Sequence, residues 1–352
     1  MRKPLLFIIA LFSVSFLFAD ENEVLLLPYN TTTLTPEQQA MNPTFVAYPT
    51  QLKNSIPQMK CNSELFGFTI DAQGRKVVFS PGNLQYNAAK GTHHCADGTT
   101  QPGTWRFAEH QWDYVGDATN GNVYENGVKC NNELISSNYN GWIDLYAWGT
   151  SGWPRVTVED YLPYSSSEVR GYPYYINGDG LANLDGTNAD WGVYNQIGSD
   201  PTGTWSTLSK EQWNYLINTR PNSANLCGFG TVNGVDGCIL LPDNWQDIPG
   251  INFTPSKTYA AYNFYTLEQW QDMENHGAVF LPQAGLRNGT QVDDCNSTGY
   301  YWTTTTDNSY YMENSKKVYT DAHDFLFHSS LTFSTLYRYM GASVRLVRIV
   351  EE

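Results

Sequence analysis

The sequence predicts an α+β domain, mainly strand and loop with two short helices, and three observations predict it. Runs of alternating apolar and polar residues, punctuated by Gly, Asn, Asp and Pro, recur from Leu65 to Val350. Two segments interrupt them with helix-start signals. Between about 140 and 205, "NGWIDLYAWGTSGWPRV" and "YPYYINGDGLANLDGTNADWGVYNQIG" are dense in Gly, Asn, Asp and rings but lack periodicity, the composition of long loops that are functional or packed on themselves. Helices set among strands, rather than alternating with them, make the class α+β.

Composition narrows the possible partners. The chain has 352 residues, 41% apolar and 14% aromatic, which supplies a substantial core and excludes disorder throughout. Thirty-five acids against 20 bases give a net charge of -15, which repels phosphate backbones and anionic lipid, so nucleic acid is excluded as a partner. Arg2 and Lys3, the apolar run Leu5–Phe18 and then Ala19 read as a signal peptide over residues 1–19, cleaved near Ala19. The expected location is therefore secreted, extracellular or at the cell surface or periplasm. No later stretch approaches the roughly 20 apolar residues of a membrane span. Residues 20–62 form a polar leader, a tether or packed arm with one strand-like run, "EVLLLPYN", and residues 63–352 form the main domain.

The elements follow in order. "LFGFTIDAQGRKVVFSPGNLQY" is a hairpin about a Gly-containing turn. "KGTHHCADGTTQPG" reads as a surface loop, which makes His93-His94-Cys95 a poor metal clip. In the long loops Trp148, Trp153 and Trp191 are rings able to pin loop to core. In "TLSKEQWNYLINTR", Ser209 and Gln212 form a capping box, Leu208 and Trp213 a hydrophobic staple, and Trp213, Leu216 and Ile217 one face of a helix stopped by Pro221. Asn233-Gly234 marks a two-residue hairpin turn. "YTLEQWQDMENHG" repeats the helix device, with Thr266 and Gln269 as the box, Tyr265 and Trp270 as the staple, and Gly277 at the end. In "YYWTTTT", alternation places Tyr300, Trp302, Thr304 and Thr306 on one side and Tyr301, Thr303 and Thr305 on the other; the Trp302 side is expected to be buried. "SVRLVRIV" is the last strand, with Val344 and Leu346 facing away from Arg345 and Val347.

The remaining chemistry is sparse. Six cysteines in an exported chain permit disulfides, and Cys227 and Cys238, flanking the Asn233-Gly234 turn at unequal offsets, are the best single pair. Zinc spacing is absent. Asp179, Asp185 and Asp190 supply oxygen ligands for Ca2+, but no EF-hand loop accompanies them, so no cofactor is expected, with Ca2+ the alternative. No Gly-x-Ser-x-Gly elbow occurs. His323 and His328 read as solvent or turn histidines.

Taken in order, "LSKEQWNYLINTR", "GAVFLPQAGLRNG", "GYYWTTTTDNSYY" and "YRYMGASVRLVR" resemble the formylglycine-generating enzyme (sulfatase-modifying factor) superfamily over about residues 65–350. The resemblance is closest to non-catalytic secreted bacterial relatives such as the major paralogous domain group. It implies a C-type-lectin-like fold, with a small twisted antiparallel sheet, two helices, long irregular loops and the two ends of the domain adjacent in the sheet. Enzymes of that superfamily carry a reactive cysteine just after a Gly-x-Arg element near the chain end. Here Leu346 follows Arg345 and no cysteine follows Cys295, so no enzyme activity is expected.

The sheet then has rings to spare, and Tyr and Trp offer broad contact area with few rotors to freeze. The expected function is a non-catalytic module binding glycan or protein through Tyr301, Tyr310, Tyr311, Asn314, Tyr337 and Tyr339, with Trp153 and Tyr174 from the long loops. The alternatives are a lectin-fold receptor whose Tyr310, Tyr311, Asn314 and Tyr337 positions are diversified by a retroelement, and an enzyme of unrecognised chemistry.

Overall fold

The computed structural model describes residues 17–19, 23–25, 66–114, 142–149, 182–288, 291–313 and 315–350. The chain divides into two units, Met1–Lys60 and Cys61–Glu352. In the first, strand β1 (Leu17–Ala19) pairs antiparallel with β2 (Glu23–Leu25). The second is a mixed α+β unit of mostly small sheets and few short helices.

Its first sheet has the order β3-β4-β19-β7, formed by Phe68–Thr69, Lys76–Phe79, Leu346–Ile349 and Ser206–Thr207. The strand near the end of the chain thus lies beside the first hairpin, Val347 opposite Phe79. All four of Val344, Arg345, Leu346 and Val347 are buried, so both faces of this strand are covered. The second sheet has the order β10-β8-β9-β11, from Tyr262–Tyr265, Cys227–Val232, Val235–Leu240 and Val279–Pro282. β8 and β9 close through Asn233 and Gly234, at φ 52° and 77°, the left-handed pair that a two-residue hairpin needs. β10 runs parallel to β8, a departure from an all-antiparallel sheet. The third sheet, β14-β17-β18, comprises Gly299–Thr306, Asp321–Phe327 and Leu331–Tyr337. Among the described residues the unit also has two-stranded ribbons: β5 with β6 (Leu84–His94, Thr100–Phe107), β12 with β13 (Leu286–Asn288, Gln291–Asp293) and β15 with β16 (Tyr310–Glu313, Lys316–Tyr319).

Both expected helices form. Helix α2 (Lys210–Asn214) has the Ser209/Gln212 capping box in place and runs on into a π turn, Tyr215–Thr219, before Pro221. Leu208, Trp213, Leu216 and Ile217 share one buried cluster. Helix α3 (Leu267–Asn275) has the Thr266/Gln269 box, with Trp270 and Met273 fully buried. It ends at Gly277, φ 88°, where Ala278 N–H bonds back to Met273 O and a Cβ would strike Phe66. A third short helix, α1 (Trp191–Tyr194), interrupts the expected loop; it carries no side-chain cap and is held by burial of Trp191 and Tyr194.

The core is aromatic. Trp105, Trp148, Trp191, Trp205 and Trp302 fall in one cluster, and each buried ring removes about 150–250 Å² from water, on the order of 4–6 kcal/mol before entropy costs. Trp148 and Trp191 therefore do pin loop to core, and Trp148 Nε1 donates to Thr303 O at 2.7 Å. Trp153 lies outside the described residues.

Candidate functional site

β14 is buried on both faces. Trp302 is 1% exposed and donates Nε1–H to Tyr146 O at 2.6 Å, as the larger ring predicts. Tyr301, on the side expected to face a ligand, is 0% exposed. Its ring stacks on Phe327 at 5.6 Å, and its hydroxyl accepts from Asn83 Nδ2 at 3.0 Å and donates to Pro282 O at 3.2 Å. Tyr301 is a core residue. Alternation failed as a guide because β14 has a packed layer against each face, a tertiary fact that a period of two does not carry.

The threonine run is equally committed. Thr303 Oγ1 donates to His323 O at 2.8 Å, Thr304 Oγ1 to Asp185 Oδ1 at 2.5 Å and Thr305 Oγ1 to Glu211 Oε2 at 3.3 Å, while Thr306 N–H reaches Asn183 Oδ1 at 3.0 Å. These hydroxyls fasten the 183–185 loop and the start of α2 to the sheet edge. Beside them an open cleft of about 530 Å³ is lined by Asp71, Arg75, Asp185, Ser209, Glu211 and Tyr215, among others.

Exposed rings collect where β15, β16, β17 and β18 meet. Tyr310 pairs with Tyr319 across β15–β16, and Tyr337 stands opposite Asp321 across β17–β18. Thr320 joins the two ladders, its N–H bonding Ser309 O at 3.1 Å and its carbonyl accepting from Arg338 N–H at 2.8 Å. The aromatic pairs are thereby brought to one end of the sheet. Tyr337 stacks on Tyr339 with centroids 5.4 Å apart and planes 11° from parallel; Tyr310 meets Tyr319 edge-on at 5.8 Å. In each pair one ring supports and one is presented: Tyr319 and Tyr339 are 9% and 8% exposed, Tyr310 and Tyr337 47% and 39%. The Lys317 ammonium lies 4.2 Å over the Tyr310 ring, and Met312 is exposed alongside. From below, Arg338 fixes the junction through Nε–H to Asp321 O at 2.9 Å and a contact to Thr306 Oγ1, with its guanidinium 4.5 Å over Trp148. Burial works against the nearby Asp307 carboxylate, but bonds from Ser309 and the proximity of His323 hold its pKa below the usual range.

Of the expected ligand residues, Tyr310, Tyr337 and Tyr339 are thus assembled and Tyr301 is not. Tyr311 lies in β15 beside Tyr310. Asn314, Trp153 and Tyr174 lie outside the described residues. Sequence reading missed Tyr319 and Lys317, which only the β15–β16 register places next to Tyr310.

Other expectations change. Cys227 and Cys238 are free, buried thiols. Cys227 stands opposite Leu240 and Cys238 opposite Phe229, so the two are diagonal neighbours, at roughly 7–8 Å between Cα atoms too far apart for a bridge without backbone movement. Cys95 is also a free buried thiol, whereas Cys295 is disulfide-bonded. Burial pushes the thiols of Cys95, Cys227 and Cys238 above their ordinary value, away from reactive thiolate. His93 sits in strand β5, not a loop. It is buried, with Nδ1 2.9 Å from Gly103 O, and burial lowers its pKa. His323 is half-buried in β17, with Nε2 3.4 Å from Asp307 Oδ2, while His328 is exposed as expected.

Asp190 is buried and spent on Thr207, accepting its N–H at 3.0 Å and Oγ1–H at 2.9 Å, and Asp185 on Thr304; Asp179 lies outside the described residues. Among the described residues no group of three or more His, Cys, Asp or Glu side chains converges on a metal position, and no helix is long and apolar enough to cross a membrane. Leu346 is buried in the tryptophan cluster. No protein-family model, curated protein or solved structure matches the chain.

Proposed function

We propose that this chain is a secreted or surface-associated, non-catalytic binding module on a C-type-lectin-like fold, which recognises a glycan or protein through exposed tyrosines. The observation that carries the reading is the pairing of Tyr310 and Tyr337, half in solvent, with Tyr319 and Tyr339, which hold them from behind. A preorganised ring loses little entropy on contact, so it contributes more to binding than a mobile one. Support for the fold comes from the adjacency of β4 and β19, the two capped helices and the small sheets. Support for a non-catalytic role comes from Leu346 and from free thiols made unreactive by burial. Support for export comes from the Arg2-to-Ala19 pattern.

Screening the full chain against immobilised glycans and, by pull-down, against proteins tests the reading. Capture of a specific ligand supports it; a folded chain that captures neither class at millimolar ligand overturns it. The exposure of Tyr310 and Tyr337 also favours the diversified-receptor alternative, for which neighbouring DNA would hold a template copy of their coding region.

A further inference from the structure

Between α2 and the turn that leads into β15, one ring nitrogen faces two partners of opposite charge. His323 lies in β17, and its Nδ1 stands 3.2 Å from Ser334 O. A carbonyl only accepts, so Nδ1 carries a hydrogen, and Nε2 of the neutral ring is left as an acceptor. That Nε2 is 3.4 Å from the Lys210 ammonium at the start of α2 and 3.4 Å from Asp307 Oδ2 in the turn between β14 and β15. The pair is sheltered, the His323 and Asp307 side chains being 17% and 22% exposed. One atom cannot serve both neighbours. Unprotonated, Nε2 accepts from Lys210 and repels the carboxylate; protonated, it donates to Asp307 and repels the ammonium.

The other charges around the ring are committed elsewhere or turned away. Uncharged Thr335 stands opposite His323 on β18. Asp321 shares the ring's face of β17 two residues away, and Asp324 takes the opposite face, where it accepts from Ser334 Oγ. Glu211, next to Lys210, accepts from Thr305 at 3.3 Å, and Arg338 is spent on Asp321 O and Thr306 Oγ1. Among the described residues, Lys210 and Asp307 are the charged side chains within hydrogen-bonding distance of Nε2.

We propose that His323 is a proton-operated switch, which passes from Lys210 to Asp307 on acidification and thereby tightens the turn that carries Tyr310. Asp307 holds that turn together. Its Oδ1 accepts Ser309 N–H at 2.9 Å and Ser309 Oγ–H at 2.6 Å, and its own N–H bonds Asp321 O at 3.1 Å. Ser309 O in turn accepts Thr320 N–H at 3.1 Å, one residue before Tyr310. A protonated ring on Oδ2 fastens the other side of the same carboxylate to β17, and deprotonation withdraws that cation. Histidine is the side-chain type whose charge changes between pH 5 and 8, so the exchange answers to ordinary differences between environments. The switch needs no ligand; that it regulates capture rests on the reading of Tyr310 and Tyr337 as the recognition surface.

The test is nuclear magnetic resonance of the full chain, isotopically labelled in its histidine and tyrosine rings and titrated from pH 5 to 8, with His323→Gln and Tyr310→Phe assigning the two signals. The His323 ring is expected to bind its proton about threefold more tightly in Lys210→Met and about threefold more weakly in Asp307→Asn, the size of a part-exposed ion pair. Tyr310 signals are expected to move with the same midpoint in the parent and to stay still in His323→Gln. Circular dichroism confirms that each variant is folded, and either charge variant alone carries the sign. The proposal is overturned if the His323 signal does not titrate in this range, if the charge variants leave it unchanged or move it the wrong way, or if Tyr310 ignores it. A chain that switches but captures no glycan or protein keeps the switch and rejects the recognition reading; one that captures without switching does the reverse.

Discussion

Replacing Tyr301 by Phe removes one oxygen from the interior and separates a structural role from a binding one. Stacking on Phe327 survives the change, so the perturbation is confined to the polar network. The hydroxyl joins Asn83 and Pro282 O, and Asn83 in turn lies 3.5 Å from the buried guanidinium of Arg345, which donates to Gln111 at 2.8 Å. Two hydrogen bonds are lost at about 1 kcal/mol each, and the buried groups left behind add a penalty of about 1–3 kcal/mol, partly offset because Phe itself costs less to bury than Tyr. The expected net loss is about 2–3 kcal/mol. Urea unfolding followed by tryptophan fluorescence measures it as a lower midpoint with unchanged slope. Tyr310→Phe serves as the surface control and is expected within about 0.5 kcal/mol of the parent. Asn83→Ala together with Tyr301→Phe should cost less than the sum of the two, since they share one network. A Tyr301→Phe variant as stable as the parent but impaired in ligand capture would refute the reasoning, because it would place Tyr301 in a site rather than the core.

Thr266→Ala removes one capping box and should cost about 1 kcal/mol by the same unfolding measurement, while Thr266→Ser should retain most of it. Burial pushes the Asp324 carboxyl up to about 6 from an ordinary 3.8. The folded state therefore holds a proton that the unfolded state releases, and this group's stabilisation is full below pH 4 and is lost as pH rises towards 6, on the order of 3 kcal/mol. Asp324→Asn should reduce the pH dependence of stability across that window without abolishing it, because burial also pushes Asp190 up to about 6, and an unchanged profile contradicts the assignment. A maleimide probe should leave Cys227 and Cys238 unlabelled in the native chain and label both in denaturant; native labelling would reopen a thiol chemistry.

What the sequence disclosed was local. Capping boxes at Ser209 and Thr266 and the Asn233-Gly234 turn are set by neighbours within four residues, and each stands where its pattern places it. What it concealed was set at long range. Burial of both faces of β14 depends on layers contributed by Tyr146 on the Trp302 side and by Asn83 and Pro282 on the Tyr301 side, the first two distant in the chain. The Cys227–Cys238 expectation failed on register, since a pair that brackets a hairpin turn at unequal offsets is diagonal rather than opposed. Helix α1 carries no capping signal and exists because Trp191 has a core to enter. In the candidate site Tyr310, Tyr337 and Tyr339 were legible as surplus rings, while Tyr319 became recognisable only once its pairing partner was known.

Ligand capture by the double variant Tyr310→Ala with Tyr337→Ala, side by side with the parent on the glycan and protein screens, addresses the central claim most directly. Both rings are half exposed, so the variant should unfold within about 1 kcal/mol of the parent. Capture should fall by about tenfold or more for whichever ligand the parent retains. Undiminished capture by the folded double variant would contradict the claim that these tyrosines form the recognition surface.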